Sequence, residues 1–324
     1  MRPMTRSPRG FQAVLVAGWA ALGAAGVLYA RWKGIPGWAA WPAIAAFLVA
    51  YPFYLVPGFP SLRERITAAR LPAWLMASAV LPYLVCCLGA VHFQWTSLAR
   101  VAALALASGL WFLVLPASPA IDILFLALIP WVLLGGYFAP VYAPIHSASK
   151  QLLVVLGHIT LIQLAIMALL AGRRVPDGGY GFVPTRGDWR IGALHYLGFV
   201  LVGLPLAIAL KATHLQAPAP LWKIAGTFIG FLWVAALNEE FFFRGVLQRW
   251  FEDWTRSRNA ALLATSAAFG LVHLGFRGFP NWRWALVSAV MGWFCGHARN
   301  QAGSIRAGVV THTLVITTWR AFLA

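Results

Sequence analysis

Residues 224–245 read Ile-Ala-Gly-Thr-Phe-Ile-Gly-Phe-Leu-Trp-Val-Ala-Ala-Leu-Asn-Glu-Glu-Phe-Phe-Phe-Arg-Gly. An uncharged apolar run, 224–237, leads into two adjacent glutamates, three phenylalanines and an arginine. Carboxylates beside hydrocarbon are costly, and the chain has only eight acidic residues in all. The pair therefore marks a place where charge is used. The run before it marks the kind of fold that holds it.

Outward from this stretch the chain has the same character. Of its 324 residues 61% are hydrophobic and 10% charged, against about 25% charged in a soluble domain. Further apolar runs occupy 11–30, 37–56, 73–93, 98–115, 119–136, 151–172, 191–210, 221–243, 260–276, 282–297 and 304–323. A span of about 30 Å of hydrocarbon takes roughly 20 residues, so the runs predict about ten to eleven transmembrane helices. The fold class is an all-α polytopic bundle. Seventeen Trp suit two membrane–water interfaces. The first run is too long for a signal-peptide core and reads as an uncleaved helix.

The formal net charge of +17 does not point to nucleic acid. The basic residues are spread through every loop and form no basic domain with interleaved stacking aromatics. Loops beside an anionic lipid bilayer fit better. With the N-terminus inside, fifteen basic residues, beginning with Arg2 and Arg6, fall on the inner side and nine outside. The three cysteines, Cys86, Cys87 and Cys295, have no CxxC spacing and read as packing residues. Usage rich in Ala, Arg, Gly and Trp points to a bacterial source, hence a multi-pass protein of the inner membrane.

The longest polar connector, 173–190, divides the chain. Residues 1–175 hold about six helices with few intramembrane polar groups. Residues 176–324 hold nearly all such groups, so the functional boundary falls there. Asp122, near the start of an apolar run, reads as a helix N-cap.

Residues four apart share a helix face, so Arg244 can neutralise Glu240. Glu239, on a neighbouring face, is left for another task. Taken with a polar turn at 252–258 centred near Thr255, Glu239 and His273 are both roughly 25 Å from that turn at about 1.5 Å per residue. An antiparallel hairpin then sets them at one depth, where a carboxylate and an imidazole can deprotonate a water. His312, eight residues into the last span, can donate to an oxyanion on a substrate carbonyl.

Together Glu239-Glu240-x-x-x-Arg244, Phe269-x-x-x-His273 and the late Gly303-Ser304 segment with His312 resemble the CPBP family. That family includes the CAAX prenyl endopeptidases, the Abi and bacteriocin-processing homologues and the myxosortases. The resemblance covers roughly residues 176–324. It implies an intramembrane glutamic-type endopeptidase in which Glu239 is the general base and His273 its partner. Glu240 and Arg244 support the site, and His312 stabilises the oxyanion. Substrates would be membrane-anchored proteins or peptides cut near a membrane-embedded or C-terminal tail, as in sorting-signal or CAAX-like processing. The family's last motif usually has Asn four residues after the histidine. Here that position is Ile316, so another group such as Asn238 would have to complete an oxyanion hole.

No cofactor is expected. The chain lacks H-E-x-x-H and clustered cysteine ligands, so ligand spacing does not support zinc. A different class of reading is a non-proteolytic immunity or scaffold protein, or a transporter. The transporter would carry internal repeats and paired broken helices, which the sequence does not display.

Overall fold

The computed structural model describes residues 8–323, so Arg2 and Arg6, used above for orientation, lie outside the described residues. Every predicted apolar run contains a helix, though the runs 73–93 and 260–276 leave it early, at Cys86 and Leu271. The helices are α1 (Pro8–Lys33), α2 (Gly37–Leu55), α3 (Leu71–Cys86), α4 (Trp95–Val114), α5 (Pro119–Leu134) and α6 (Lys150–Met167), then α7 (Arg186–Ala209). They continue with α8 (Leu221–Thr255), α9 (Arg258–Leu271), α10 (Trp282–Ala302) and α11 (Ile305–Phe322). Among the described residues seven helices are long and apolar enough to cross a membrane. The chain is a polytopic all-α membrane protein. Of the other four, α5 and α9 are short, and α10 and α11 carry arginines, histidines and threonines that lower their hydropathy.

The chain divides into two compact units, Met1–Val175 and Pro176–Ala324. In the first, α2, α3, α4 and α6 close on a core that includes Leu71, Leu75, Tyr83, Val101, Leu153, Leu156 and Leu164. Asp122 is not a cap. Ser118 caps α5, its Oγ accepting from Ile121 N at 3.3 Å. Asp122 sits one turn in, buried, and accepts from Arg173 Nε and Nη2 at 2.8 and 2.9 Å. A carboxylate in a first helical turn is favoured by the dipole, and a bidentate guanidinium satisfies both its oxygens.

In the second unit α10 packs on α7, α9 and α11, while α11 packs on α7, α8 and α10. Side-chain caps fix where these helices start. Thr185 and Asp188 form a capping box at α7, with Thr185 Oγ1 accepting from Asp188 N at 3.1 Å and Asp188 Oδ2 accepting from Thr185 N at 2.7 Å. Ser257, Asn281 and Ser304 cap α9, α10 and α11. The hairpin turn between α8 and α9 is short, with Arg256 in the left-handed region at φ 56°.

α8 is not a uniform helix. Two π-helical segments, Phe231–Ala235 and Phe241–Leu247, flank the α-helical Ala236–Glu240. π-turns are rare and cluster at functional sites. Here they bracket the glutamate pair.

Candidate active site

The two glutamates part company at once, because successive helical residues lie about 100° apart. Glu240 points inward and is fully buried, while the Glu239 side chain keeps 40% of its exposure. Inside, Glu240 Oε1 accepts from Arg244 Nη1 at 3.2 Å. The arginine is itself fully buried, donates from Nη2 to the Gly292 carbonyl of α10 at 2.8 Å, and lies 4.5 Å over the Phe269 ring. A buried ion pair is tolerated when further hydrogen bonds and aromatic faces share the charge.

His312 joins the two carboxylates. Its Nδ1 lies 2.8 Å from Glu240 Oε1, and its Nε2 lies 3.8 Å from Glu239 Oε2. A carboxylate can only accept, so Nδ1 carries the proton of that bond and Nε2 is turned toward Glu239. α11 can come this close because position 308 is glycine. A Cβ there would stand 2.9 Å from Glu240 Oε2 and 3.0 Å from the Cys295 carbonyl.

His273 lies two residues past the end of α9 at Leu271, although the run 260–276 predicts it inside the helix. The cause is local. His273 N donates to Gly270 O, Phe276 N to His273 O, and Asn281 N to Leu274 O, closing a tight connection with left-handed residues at Arg277 and Gly278. The imidazole remains anchored, since Nδ1 donates to the Phe269 carbonyl at 2.7 Å. A carbonyl only accepts, so Nε2 is the nitrogen left with a lone pair for the site. Glu239, His312 and Arg244 all lie within electrostatic range of this ring.

Phe269 is the hub. Its ring is 4.7 Å from His273, 5.8 Å edge-on from His312 and 4.9 Å edge-on from Phe243. Edge-to-face contacts of this kind fix ring orientation as well as burying area. All five sequence-predicted site residues are thus brought together, from α8, the turn after α9, and α11. Glu240, Arg244 and His312 form the buried, hydrogen-bonded part. Glu239 and His273 form the accessible edge. An arrangement with two basic atoms at an accessible edge and a fixed charge network behind them can take a proton from a water and hold the resulting charge.

Ile316, one turn beyond His312, packs with the apolar cluster of Phe199, Phe269, Met291 and Trp319. Asn238 is buried, and its Oδ1 accepts from Tyr180 OH at 3.3 Å. Sequence reasoning missed Gly292, Gly308 and Cys295. Cys295 joins Glu240 and His312 in a buried group whose ligand-type atoms all lie within 4.8 Å of one another. No spacing rule signals these, since they act through backbone or proximity from α10 and α11, away from the motif on α8.

Residues 220–317 match the family described as type II CAAX prenyl endopeptidase Rce1-like. The resemblance drawn from the motifs is borne out over that segment, which holds all five candidate residues. No curated protein and no solved structure matches the chain.

Proposed function

We propose that this chain is an intramembrane glutamic-type endopeptidase whose catalytic domain is residues 176–324. The observation that carries the proposal is the gathering of two carboxylates, two imidazoles and a guanidinium around α8, with Glu240, Arg244 and His312 buried behind an accessible Glu239. Glu239 is the general base. It takes a proton from a water whose oxygen attacks the scissile carbonyl carbon, and His273 Nε2 holds that water in line. Negative charge then develops on the carbonyl oxygen. His312, fixed through Nδ1 by Glu240, faces it with Nε2, and in the imidazolium form, with both ring nitrogens protonated, it donates from Nε2 to the oxyanion. Collapse breaks the C–N bond as the proton held by Glu239 passes to the leaving amine. Glu240 and Arg244 do not touch the reacting atoms; they position His312.

The substrate is a membrane-anchored protein or peptide, cut near a membrane-embedded or C-terminal tail in sorting-signal or CAAX-like processing at a bacterial inner membrane. The chemistry is metal-independent in this reading. The Glu240–Cys295–His312 group is a poor cation site, because Arg244 places its charge against Glu240 Oε1 and His312 Nδ1 is committed to the same oxygen.

The test is to replace Glu239 and His273 separately by alanine and follow processing of membrane-anchored proteins in the host. Each change is expected to stop processing, a loss of at least about 10²–10⁴-fold, while the variants still insert and fold. Normal processing by both would leave a scaffold, immunity or transport role instead. A chelator is expected to leave purified activity unchanged, and abolition by it would overturn metal independence.

A further inference from the structure

Three inward positions on α8, Glu240, Arg244 and Gln248, follow one another at i, i+4 and i+8, and all are fully buried. Each leaves one polar side-chain atom with no hydrogen-bond partner in the protein. These atoms are Glu240 Oε2, Arg244 Nε and Gln248 Oε1. Buried polar atoms are nearly always satisfied, by protein or by ordered water. Three in succession on one helix face need an explanation that packing alone does not give.

Their surroundings supply one. The remaining atoms of each side chain are bonded, so the open ones are held in fixed directions. Arg244 is tied to Glu240 and the Gly292 carbonyl, and Gln248 Nε2 donates to Asn300 Oδ1 at 2.9 Å. Two of the open atoms are met by glycine. Glu240 Oε2 faces Gly308, and Gln248 Oε1 faces Gly296, where a Cβ would stand 2.9 Å from it. The Cys295 thiol, a weak donor, lies beside the Glu240 carboxyl group.

The polar face then continues outward. Gln248 Nε2 also reaches Glu252 Oε1 at 3.4 Å, and Glu252 pairs with Arg299 at 2.6 Å where both side chains are partly exposed, at 19% and 16%. Glu252 lies roughly three helical turns from Glu240 along α8. The open atoms alternate as acceptor, donor and acceptor, and a buried water needs two to four such partners.

We propose that this face of α8 is a water file, which carries the water consumed in hydrolysis from the Glu252–Arg299 end to the Glu239 edge. The inference rests on the hydrolase reading. Cleavage of one peptide bond consumes one water, and hydrocarbon supplies none. Glu240 and Arg244 therefore have a second task beyond holding His312. Gln248 is a positioning residue for the water and does not touch the substrate.

The test uses the full chain in lipid nanodiscs and hydroxyl radicals generated by X-rays, which oxidise side chains next to ordered water. Leu262 and Cys295 flank the file, while Leu153 and Cys86 are equally buried in the other unit. Leu262 and Cys295 are expected to label about fivefold faster than Leu153 and Cys86. Gln248→Leu is expected to remove that contrast and to lower kcat about tenfold at unchanged KM. Where Gln248→Leu does not fold, Gln248→Met keeps the length of the side chain without its amide and reads the same quantities.

Equal labelling of all four residues in the native chain overturns the file, as does undiminished labelling in Gln248→Leu. The Glu239→Ala protein is expected to label fully while cleaving nothing. A native chain that labels but cleaves no substrate overturns the hydrolytic purpose, so failure of the file and failure of the protease reading are read on separate axes.

Discussion

In the unit that ends at Val175, the core around Leu71, Leu75, Leu153, Leu156 and Leu164 is apolar, and the Asp122–Arg173 pair is placed where Arg173 keeps 30% of its side-chain exposure. In the unit that begins at Pro176, Glu240 and Arg244 have no exposure at all, and His312 has almost none. Both units use the same apolar alphabet for their helices. They differ in what the helices enclose. Leucine and alanine in the first unit pack without directional demands, so many sequences would satisfy that core. The second unit has desolvated charge, which is stable only if each partner is in place. A cost of that kind is not incurred to hold helices together when leucine would serve. It indicates a region selected for chemistry, and the accessible edge at Glu239 and His273 is where that chemistry would occur.

The sharpest way to break the comparison is to remove one partner of the buried pair. Arg244→Leu leaves the Glu240 carboxylate buried and unneutralised, and is expected to cost about 3–5 kcal/mol of stability. Reversible unfolding of the purified protein in mixed micelles measures this. Glu240→Leu combined with Arg244→Leu should recover most of the loss, because an apolar pair of similar volume needs no compensation, yet cleavage should stay absent. A single variant as stable as the native chain would mean the charge is not truly desolvated.

The apolar unit supplies the counterpart. Leu156 is fully buried, and Leu156→Ala is expected to cost about 2–4 kcal/mol through the cavity it leaves. The folded fraction should retain its kcat/KM. If kcat/KM falls with stability, the first unit takes part in the reaction and the contrast between the two units is wrong.

A smaller change tests how tightly the charged unit is fitted. Gly308→Ala sets a methyl 2.9 Å from Glu240 Oε2 and 3.0 Å from a backbone carbonyl that has little room to move. Overpacking of this kind costs about 1–3 kcal/mol. Because the shift is taken up between His312 and Glu240, cleavage should fall further than stability does. Loss of stability with full activity would show that the His312–Glu240 bond is not needed for turnover.

Much of this was legible in the chain itself. Apolar run lengths located every helix because hydrocarbon thickness sets them, and the Glu239-Glu240-x-x-x-Arg244 spacing gave the buried ion pair because a helix repeats nearly every four residues. The depth count of Glu239 and His273 assumed two regular helices, and the π-helical segment Phe241–Leu247 and the end of α9 at Leu271, ahead of His273, both depart from that. Other features were not legible. That His312 bonds Glu240 depends on how α11 crosses α8, and Gly308 permits it without any local signature. The π-segments on either side of the glutamates follow from tertiary packing, and no propensity marks them. Asp122 was misread as a cap because its partner, Arg173, lies fifty-one positions away. Sequence reports local periodicity well; it reports which distant side chain closes a polar group poorly.

The smallest expected effect is at Ile316, and it separates two explanations of the missing asparagine. If an oxyanion hole were short of one donor, Ile316→Asn would restore it and raise kcat several-fold. The packing argues otherwise. Ile316 lies with the apolar cluster of Phe199, Met291 and Trp319, so the NH2 of an amide there is turned among side chains that offer no oxygen or nitrogen acceptor. Burying it without partners is expected to cost about 1–3 kcal/mol. His312, meanwhile, is already oriented from the other side by Glu240 at 2.8 Å. The expected result is therefore lower stability with kcat/KM changed by less than about threefold, under 1 kcal/mol in the barrier. A clear rise in kcat would mean that the end of α11 repacks to bring position 316 to the site, and that the boundary between the apolar cluster and the charged network runs one turn farther along α11.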